Sequence, residues 1–183
     1  GVVVLVEDAL PGQLVRARVA AVRKSLAEAA LVEVLERSPD EQEPPCPHAG
    51  RCGGCSWQSL AYGRQLAWKE RIVHDALERV GKEACPPILP ILPSPSEWGY
   101  RNKMEFAFGV SGDGGKALGL RERGSRNIVE VTGCLLQTPL TMRVLEAVRM
   151  LSNGAFHDLD GRFLVVREPN AGGCFVELIV GAG

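Results

Sequence analysis

A cluster of three cysteines constrains this chain more than any other feature. Cys46, Cys52 and Cys55 fall within ten residues, in the pattern C-x5-C-x2-C. Several sulfur ligands converge on one metal centre only when the loops between them are short. Gly53 and Gly54 separate the last two cysteines, and glycines let a backbone wrap tightly and aim its N–H groups at sulfur. The spacing predicts a metal-binding loop with thiolate ligands.

A fourth thiolate has to come from another part of the chain. Cys134 is the best candidate because it follows a predicted strand and lies at a turn. From spacing alone, an iron–sulfur cluster and a structural zinc ion stay equally open, since both accept four thiolates. His48 is an alternative ligand, but we expect it to face water. Cys85 and Cys174 are most simply explained as packing or incidental thiols.

Disulfides are the competing use of cysteine. The chain has six cysteines, and six cysteines permit fifteen pairings. Clustering of three of them suits a metal better than long cross-links, and we recognise no secretory signal. Thiols are therefore expected to stay reduced. No apolar run approaches the roughly 20 residues that cross a bilayer, and we expect a cytoplasmic protein.

Four motifs occur in one order along the chain. They are Cys46-x5-Cys52-Gly-Gly-Cys55-x-Trp57-Gln58, Gln65-Leu66-x-x-Lys69, Tyr100-Arg-Asn-Lys-Met-Glu-Phe106 and Gly133-Cys134. The set resembles the RNA (uracil-5-)-methyltransferases that carry a TRAM domain and a [4Fe-4S] cluster and act on 23S rRNA or tRNA. The resemblance covers nearly the whole chain. It implies that Cys46, Cys52, Cys55 and Cys134 hold the cluster.

The resemblance also implies a function. It makes the chain the RNA-recognition and cluster-binding part of an S-adenosylmethionine-dependent enzyme. In that family a cysteine attacks C6 of uracil, C5 takes the methyl group, and a carboxylate base restores the ring. Those residues lie in a C-terminal Rossmann-like domain, and no motif up to Gly183 matches its nucleophile or its cofactor loop. We therefore assign no catalytic or S-adenosylmethionine-binding residue.

Because no catalytic motif is matched, we expect the chain to be a fragment of a longer methyltransferase. Its partners would be rRNA or tRNA and the methyltransferase domain of the same full-length protein, and it should be inactive alone. The rival hypothesis is a stand-alone zinc-stabilised module that binds RNA or protein.

Charge is informative only locally. The net charge is −1 and the pI about 6.4. Residues 11–24 carry four basic and no acidic residues, and residues 99–127 carry six basic against three acidic residues. Such stripes bind phosphates or form solvated strand faces. Arg101 and Lys103 are assigned to RNA binding, because the resembled enzymes use this domain in RNA recognition.

The first part of the chain predicts strands at 2–7 and 13–24, joined by a Pro11-Gly12 turn. Residues 25–37 are rich in helix formers, but the resemblance favours a strand that completes an OB-like barrel, and we predict a strand. That barrel would be truncated at its N-terminus. After a Pro-rich linker and the cysteine loop, Ser59 is expected to cap a helix over 60–80. Its apolar stripe, Leu66, Ile72, Val73, Ala76, Leu77 and Val80, would pack on the methyltransferase domain and be exposed in its absence.

The last part of the chain predicts a second sheet. Tyr100, Asn102, Met104, Phe106 and Phe108 would project to one side of a strand, and Tyr100, Met104, Phe106 and Phe108 are predicted to be core residues. Further strands are expected at 117–121, 128–131, 162–168 and 174–180. A helix from Pro139 would bury Val144, Leu145, Val148 and Leu151. The predicted fold class is α+β: a truncated OB-like β-barrel (TRAM), then a mainly antiparallel sheet with two helices. The predicted segments are 1–40 (partial barrel), 41–58 (iron–sulfur loop), 59–95 (helix and linker) and 96–183 (RNA recognition).

Overall fold

The chain folds into two compact units. The computed structural model describes residues 2–81, 87–154 and 160–181, so Cys85 lies outside the described residues. The first unit comprises Gly1–Pro45 and Ser56–Pro93, and the second comprises Cys46–Cys55 and Ser94–Gly183. The cysteine loop therefore belongs to the same unit as Cys134.

The first unit contains a three-stranded sheet. Its strands are β1 (Val3–Glu7), β2 (Leu14–Arg23) and β3 (Leu26–Glu36), in the order β1-β3-β2. The prediction of a strand at β3 is confirmed, against its helix-forming composition. β3 lies in the middle of the sheet, parallel to β1 and antiparallel to β2, and this pairing of both edges outweighs a weak local preference. Among the described residues the three strands do not close into a barrel.

The first helix, α1 (Tyr62–Asp75), continues as a π-helical segment, Ala76–Gly81. The prediction that Ser59 caps it is wrong, since Ala61 occupies the cap position. Ser59 lies in the turn before the helix, where its carbonyl accepts a hydrogen bond from the Gln42 N–H. The expected exposed apolar surface is confirmed for Ile72, Val73 and Leu77, whose exposed fractions are 52%, 51% and 39%. Leu66 is half-buried, and the side chain of Val80 lies outside the described residues.

The second unit is built on a five-stranded sheet. Its strands are β4 (Lys103–Val110), β5 (Lys116–Arg121), β6 (Ile128–Val129), β7 (Gly161–Arg167) and β8 (Phe175–Val180). They lie in the order β6-β5-β4-β7-β8, with every neighbouring pair antiparallel. The second helix, α2 (Pro139–Asn153), begins at Pro139 as predicted. The α+β class and the mainly antiparallel sheet with two helices are confirmed.

One face of this sheet forms the main core with α2. The buried residues of the cluster are Met104, Phe106, Leu118, Val129, Val131, Leu145, Leu164 and Val166. The predicted burial of two residues, Tyr100 and Leu151, is wrong. Tyr100 is 56% exposed because it precedes β4, and Leu151 is 46% exposed in the last turn of α2, past the buried part of the stripe. No helix in the described ranges is long and apolar enough to cross a membrane.

Candidate metal centre

The cysteine loop is shaped by tight backbone turns. The Ala49 N–H donates to the Cys46 carbonyl at 3.0 Å, and the Cys52 N–H donates to the His48 carbonyl at 2.8 Å. The Gly54 N–H then donates to the Sγ of Cys52 at 3.4 Å. An N–H group aimed at sulfur is the contact that the glycine pair predicts, and such bonds stabilise thiolate ligands.

The loop is attached to the turn between β5 and β6. The Gly53 N–H donates to the Arg121 carbonyl at 2.9 Å, and the Arg123 N–H donates to the Arg51 carbonyl at 2.8 Å. The side chain of Arg123 adds a third bond, from Nη2 to the Cys55 carbonyl at 2.5 Å. A Cβ at position 53 would lie 3.2 Å from the Arg121 oxygen, closer than carbon and oxygen ordinarily pack. Glycine at this position therefore permits the close approach.

A histidine makes a second attachment. The backbone N–H of Thr132, two residues before Cys134, donates to Nε2 of His48 at 3.1 Å. His48 is half-exposed, and its ring also bonds the segment that carries the fourth cysteine. These contacts bring the loop at 46–55 and the segment around Cys134 together.

Two of the four predicted ligands, Cys52 and Cys134, have a raised thiol pKa, chiefly because they are partly buried. Cys52 and Cys134 are half-buried and pack against the main core. Burial raises the pKa of the Cys134 thiol, a hydrogen bond from the Leu136 backbone lowers it, and the charges of Cys55, Cys46 and Cys52 raise it.

The pKa of Cys52 is raised by the same kinds of cause. Burial raises it, the Gly54 N–H bond lowers it, the charges of Cys55 and Cys46 raise it, and the positive charge of Arg123 lowers it. A soft metal centre suits such a site, because a bound cation removes the mutual repulsion of the thiolates and replaces their lost hydration.

The chemistry of the donor set fits both kinds of centre that the sequence predicts, since zinc and iron–sulfur clusters each accept four thiolates. Across the described residues, however, no three Cys, His, Asp or Glu side chains are spaced as a site for a metal ion. Cys174 also packs against the main core, but it is not among the groups that shift the pKa of Cys52 or Cys134.

Sequence reasoning missed Arg123 and Thr132 as supports of the loop. Arg123 falls in the basic stripe at 99–127, but only the fold shows that it reaches the cysteine loop. Of the two predicted RNA-binding residues, Lys103 is exposed at the start of β4. Arg101 is half-buried, and its backbone N–H donates to the Leu136 carbonyl at 3.0 Å.

The fold and the site define an α+β protein of two units, with a four-cysteine candidate metal centre in the second unit. No protein-family model matches the chain. Several similar proteins are named uncharacterized RNA methyltransferases. One, from Nitratidesulfovibrio vulgaris, is 48% identical over 188 residues, which is 98% of this chain and 40% of the relative.

Two more distant or shorter matches agree with it. A protein from Caldanaerobacter subterraneus subsp. tengcongensis is 48% identical over 65% of this chain and 26% of the relative. One from Thermosynechococcus vestitus is 37% identical over 80% of this chain and 32% of the relative. The chain is thus homologous to a part of proteins named RNA methyltransferases, and spans 40% or less of the length of each of these three.

Proposed function

We propose that this chain is the RNA-recognition and cluster-binding part of an S-adenosylmethionine-dependent RNA (uracil-5-)-methyltransferase that acts on rRNA or tRNA. One structural observation carries the proposal: Cys46, Cys52 and Cys55 lie in a loop that folds into the unit of Cys134, and His48 of this loop accepts a hydrogen bond from the Thr132 N–H, two residues before Cys134. The names of the homologous proteins support the methyltransferase class, and the resemblance of the motifs supports uracil as the target.

Cys46, Cys52, Cys55 and Cys134 would each bind one iron of a [4Fe-4S] cluster. When bound, the group supplies four iron–thiolate bonds that cross-link the unit, and no redox step is assigned to it. Contacts within the chain hold the cysteine loop in place. Gly54 stabilises the Cys52 thiolate by its N–H, and Arg123 holds the end of the loop by its bond to the Cys55 carbonyl.

The first test is iron, sulfide and zinc analysis, with a visible spectrum, of protein purified without oxygen. About four irons and four sulfides per chain support the proposal. One zinc ion and no sulfide would contradict it and favour the zinc-stabilised binding module. Cys134→Ser should lose the colour, whereas Cys174→Ser is the matched control, since Cys174 is a half-buried thiol in the same unit.

The first unit has two proposed roles. β1, β2 and β3 would belong to a TRAM barrel, because eight of their large apolar side chains (Val3, Val4, Leu5, Leu14, Val19, Val22, Val32 and Leu35) are about half exposed. The apolar face of Ile72, Val73 and Leu77 would pack on the methyltransferase domain. In that complex, Val73→Asp should weaken the attachment of the domain, since a charge would be buried in an apolar contact.

Methyl transfer tests the catalytic part of the proposal. The full-length protein should transfer a methyl group from S-adenosylmethionine to C5 of uracil in rRNA or tRNA, and the 183-residue chain alone should not. Methylation of uracil by this chain alone would contradict the assignment, because no catalytic residue has been matched within it.

A further inference from the structure

Three side chains form a row across one end of the second sheet. The register of β4 and β7 pairs Lys103 with Arg167, and the register of β7 and β8 pairs Arg167 with Phe175. Directly paired residues on neighbouring antiparallel strands project from the same face of a sheet. Lys103, Arg167 and Phe175 therefore lie side by side, and we call them the basic–aromatic row.

The row lies on the face away from α2. Met104 and Val166 are paired neighbours in β4 and β7, and both are buried in the core that contains Leu145 of α2. Residues one position away along each strand project to the other side. All three residues of the row are exposed, and Phe175 keeps 69% of its surface open to solvent.

No ion pair in the described part of the chain involves either cation of the row. Like charges directly opposite each other on neighbouring strands destabilise a sheet. Glu105 and Glu177 flank Val165 in the next row, but no ion pair joins either of them to Lys103 or Arg167 in the described part of the chain. An anion bound between the two cations would remove this repulsion.

The aromatic ring specifies the rest of the ligand. Two strand spacings, about 10 Å, separate the strand of Lys103 from that of Phe175. A ligand that covers the row has to present a negative group to the cations and a flat apolar group to the ring. An unpaired nucleotide has this chemistry, because its phosphate is anionic and its base stacks on aromatic side chains. A base inside a duplex has no free face to offer.

We propose that the basic–aromatic row binds an unpaired nucleotide of RNA, with its phosphate between Lys103 and Arg167 and its base on Phe175. The inference rests on the proposed function and extends it by two residues, Arg167 and Phe175. Lysine is depleted at protein interfaces, whereas arginine and phenylalanine are enriched there, so docking of a protein on the row is an outcome that the test has to distinguish.

Binding of a fluorescein-labelled, single-stranded, uridine-rich oligonucleotide to the 183-residue chain tests the proposal. Phe175→Leu keeps an apolar side chain but loses the ring, and should weaken binding roughly 5- to 150-fold, the fold-change for one stacked base. It should leave the salt dependence unchanged. Phe175→Trp should restore binding. Lys103→Gln and Arg167→Gln should each lower the slope of log affinity against log salt by about 0.7, as one lost phosphate contact does.

Matched controls come from the neighbouring positions. Val176→Ala changes the next residue of β8, whose side chain projects to the opposite face, and Arg162→Gln removes an exposed arginine from the other end of β7. Neither should change the affinity. An oligonucleotide that lacks bases should bind the wild type and Phe175→Leu equally, because stacking is absent from both complexes.

Two results would overturn the inference: no measurable binding of the oligonucleotide by the wild type, or equal binding by Phe175→Leu and the wild type. Tight docking of the methyltransferase domain that Phe175→Leu abolishes, without any loss of RNA binding, would assign the row to protein contact instead. These outcomes are distinct from failure of the proposed function, which is read from metal content and from methyl transfer by the full-length protein.

Discussion

Glu168 links the end of β7 to the beginning of α2, and its substitution is a sharp test of the second unit. The hydroxyl groups of Thr138 and Thr141 both donate to the Oε1 of Glu168. Thr138 is also the cap of α2, since its Oγ1 accepts the Thr141 N–H at 3.3 Å. The backbone N–H of Glu168 donates to the Asn102 carbonyl at 2.8 Å, which places the carboxylate beside the helix.

The expected cost of Glu168→Gln follows from these contacts. Hydrogen bonds to a charged group contribute about 1.5–3 kcal/mol each when well shielded. A carboxylate near a helix N-terminus adds about 0.3–1 kcal/mol. Because this carboxyl group is only partly buried, water screens both terms. We therefore expect a loss of about 1–2 kcal/mol in the free energy of unfolding at pH 7.

The stabilisation by the Glu168 carboxylate should depend on pH in a definite direction. Hydrogen bonds from Thr138 and then Thr141 lower the pKa of Glu168. Because the pKa in the folded state lies below the unfolded value of about 4.3, the carboxylate stabilises the fold at higher pH. This contribution is lost as the pH falls through the folded pKa. The difference between the wild type and Glu168→Gln should therefore be full at pH 7 and disappear in acid.

Urea unfolding, followed by circular dichroism at several pH values, measures this difference. Glu177→Gln is the matched control, because it removes an exposed carboxylate of β8 that makes no side-chain hydrogen bond to the residues described by the structure. It should change the free energy of unfolding by less than about 0.5 kcal/mol. Equal stability of Glu168→Gln and the wild type at pH 7, or a difference that grows in acid, would refute the reasoning.

Three further predictions concern the same unit. Arg123→Gln removes the cationic donor of the bond to the cysteine loop, and a chelator should extract the bound metal roughly 10-fold faster or more; Arg126→Gln, in the same turn, should behave as the wild type. Gly119→Ala should destabilise the fold by about 3 kcal/mol or more, because a Cβ there would lie 2.1 Å from a backbone oxygen of β6. Gly63→Ala in α1 is the control, because a Cβ there meets nothing within 4 Å. It should leave the free energy of unfolding in urea unchanged or raise it. Leu145→Ala removes a fully buried side chain and should cost about 2–5 kcal/mol in chemical denaturation; a loss below 1 kcal/mol would contradict the packing described for α2.

Local features of the chain could be predicted from sequence because their causes are local. The second helix was predicted from Pro139 and ends at Gly154, since proline suits a first turn and glycine a helix end. The Pro11-Gly12 pair predicts a turn, and Gly12 has the positive φ of 86° that such a turn requires. The thiolate spacing of the loop is likewise a property of ten consecutive residues.

Contacts between distant segments followed no local rule. Residues 26–36 are good helix formers, yet they form the central strand β3, because two neighbouring strands satisfy its backbone. Tyr100 fits the alternation of a core strand, but β4 starts three residues later and leaves the ring exposed. Propensity and periodicity describe what a segment prefers, and pairing decides what it does.

The sequence by itself determined the local features of this protein. They are the four cysteines predicted as ligands, the glycine pair that suits a tight loop, and the hydrophobic periodicity typical of strands and helices. The tertiary structure alone decided which groups support the thiols and which stand beside one another. Arg123 reaches the cysteine loop through the turn between β5 and β6, and Lys103, Arg167 and Phe175 meet through the register of three strands. Side chains alternate between the two faces of a strand, so the residues that stand side by side depend on how whole strands are aligned. This alignment cannot be predicted from a short stretch of sequence.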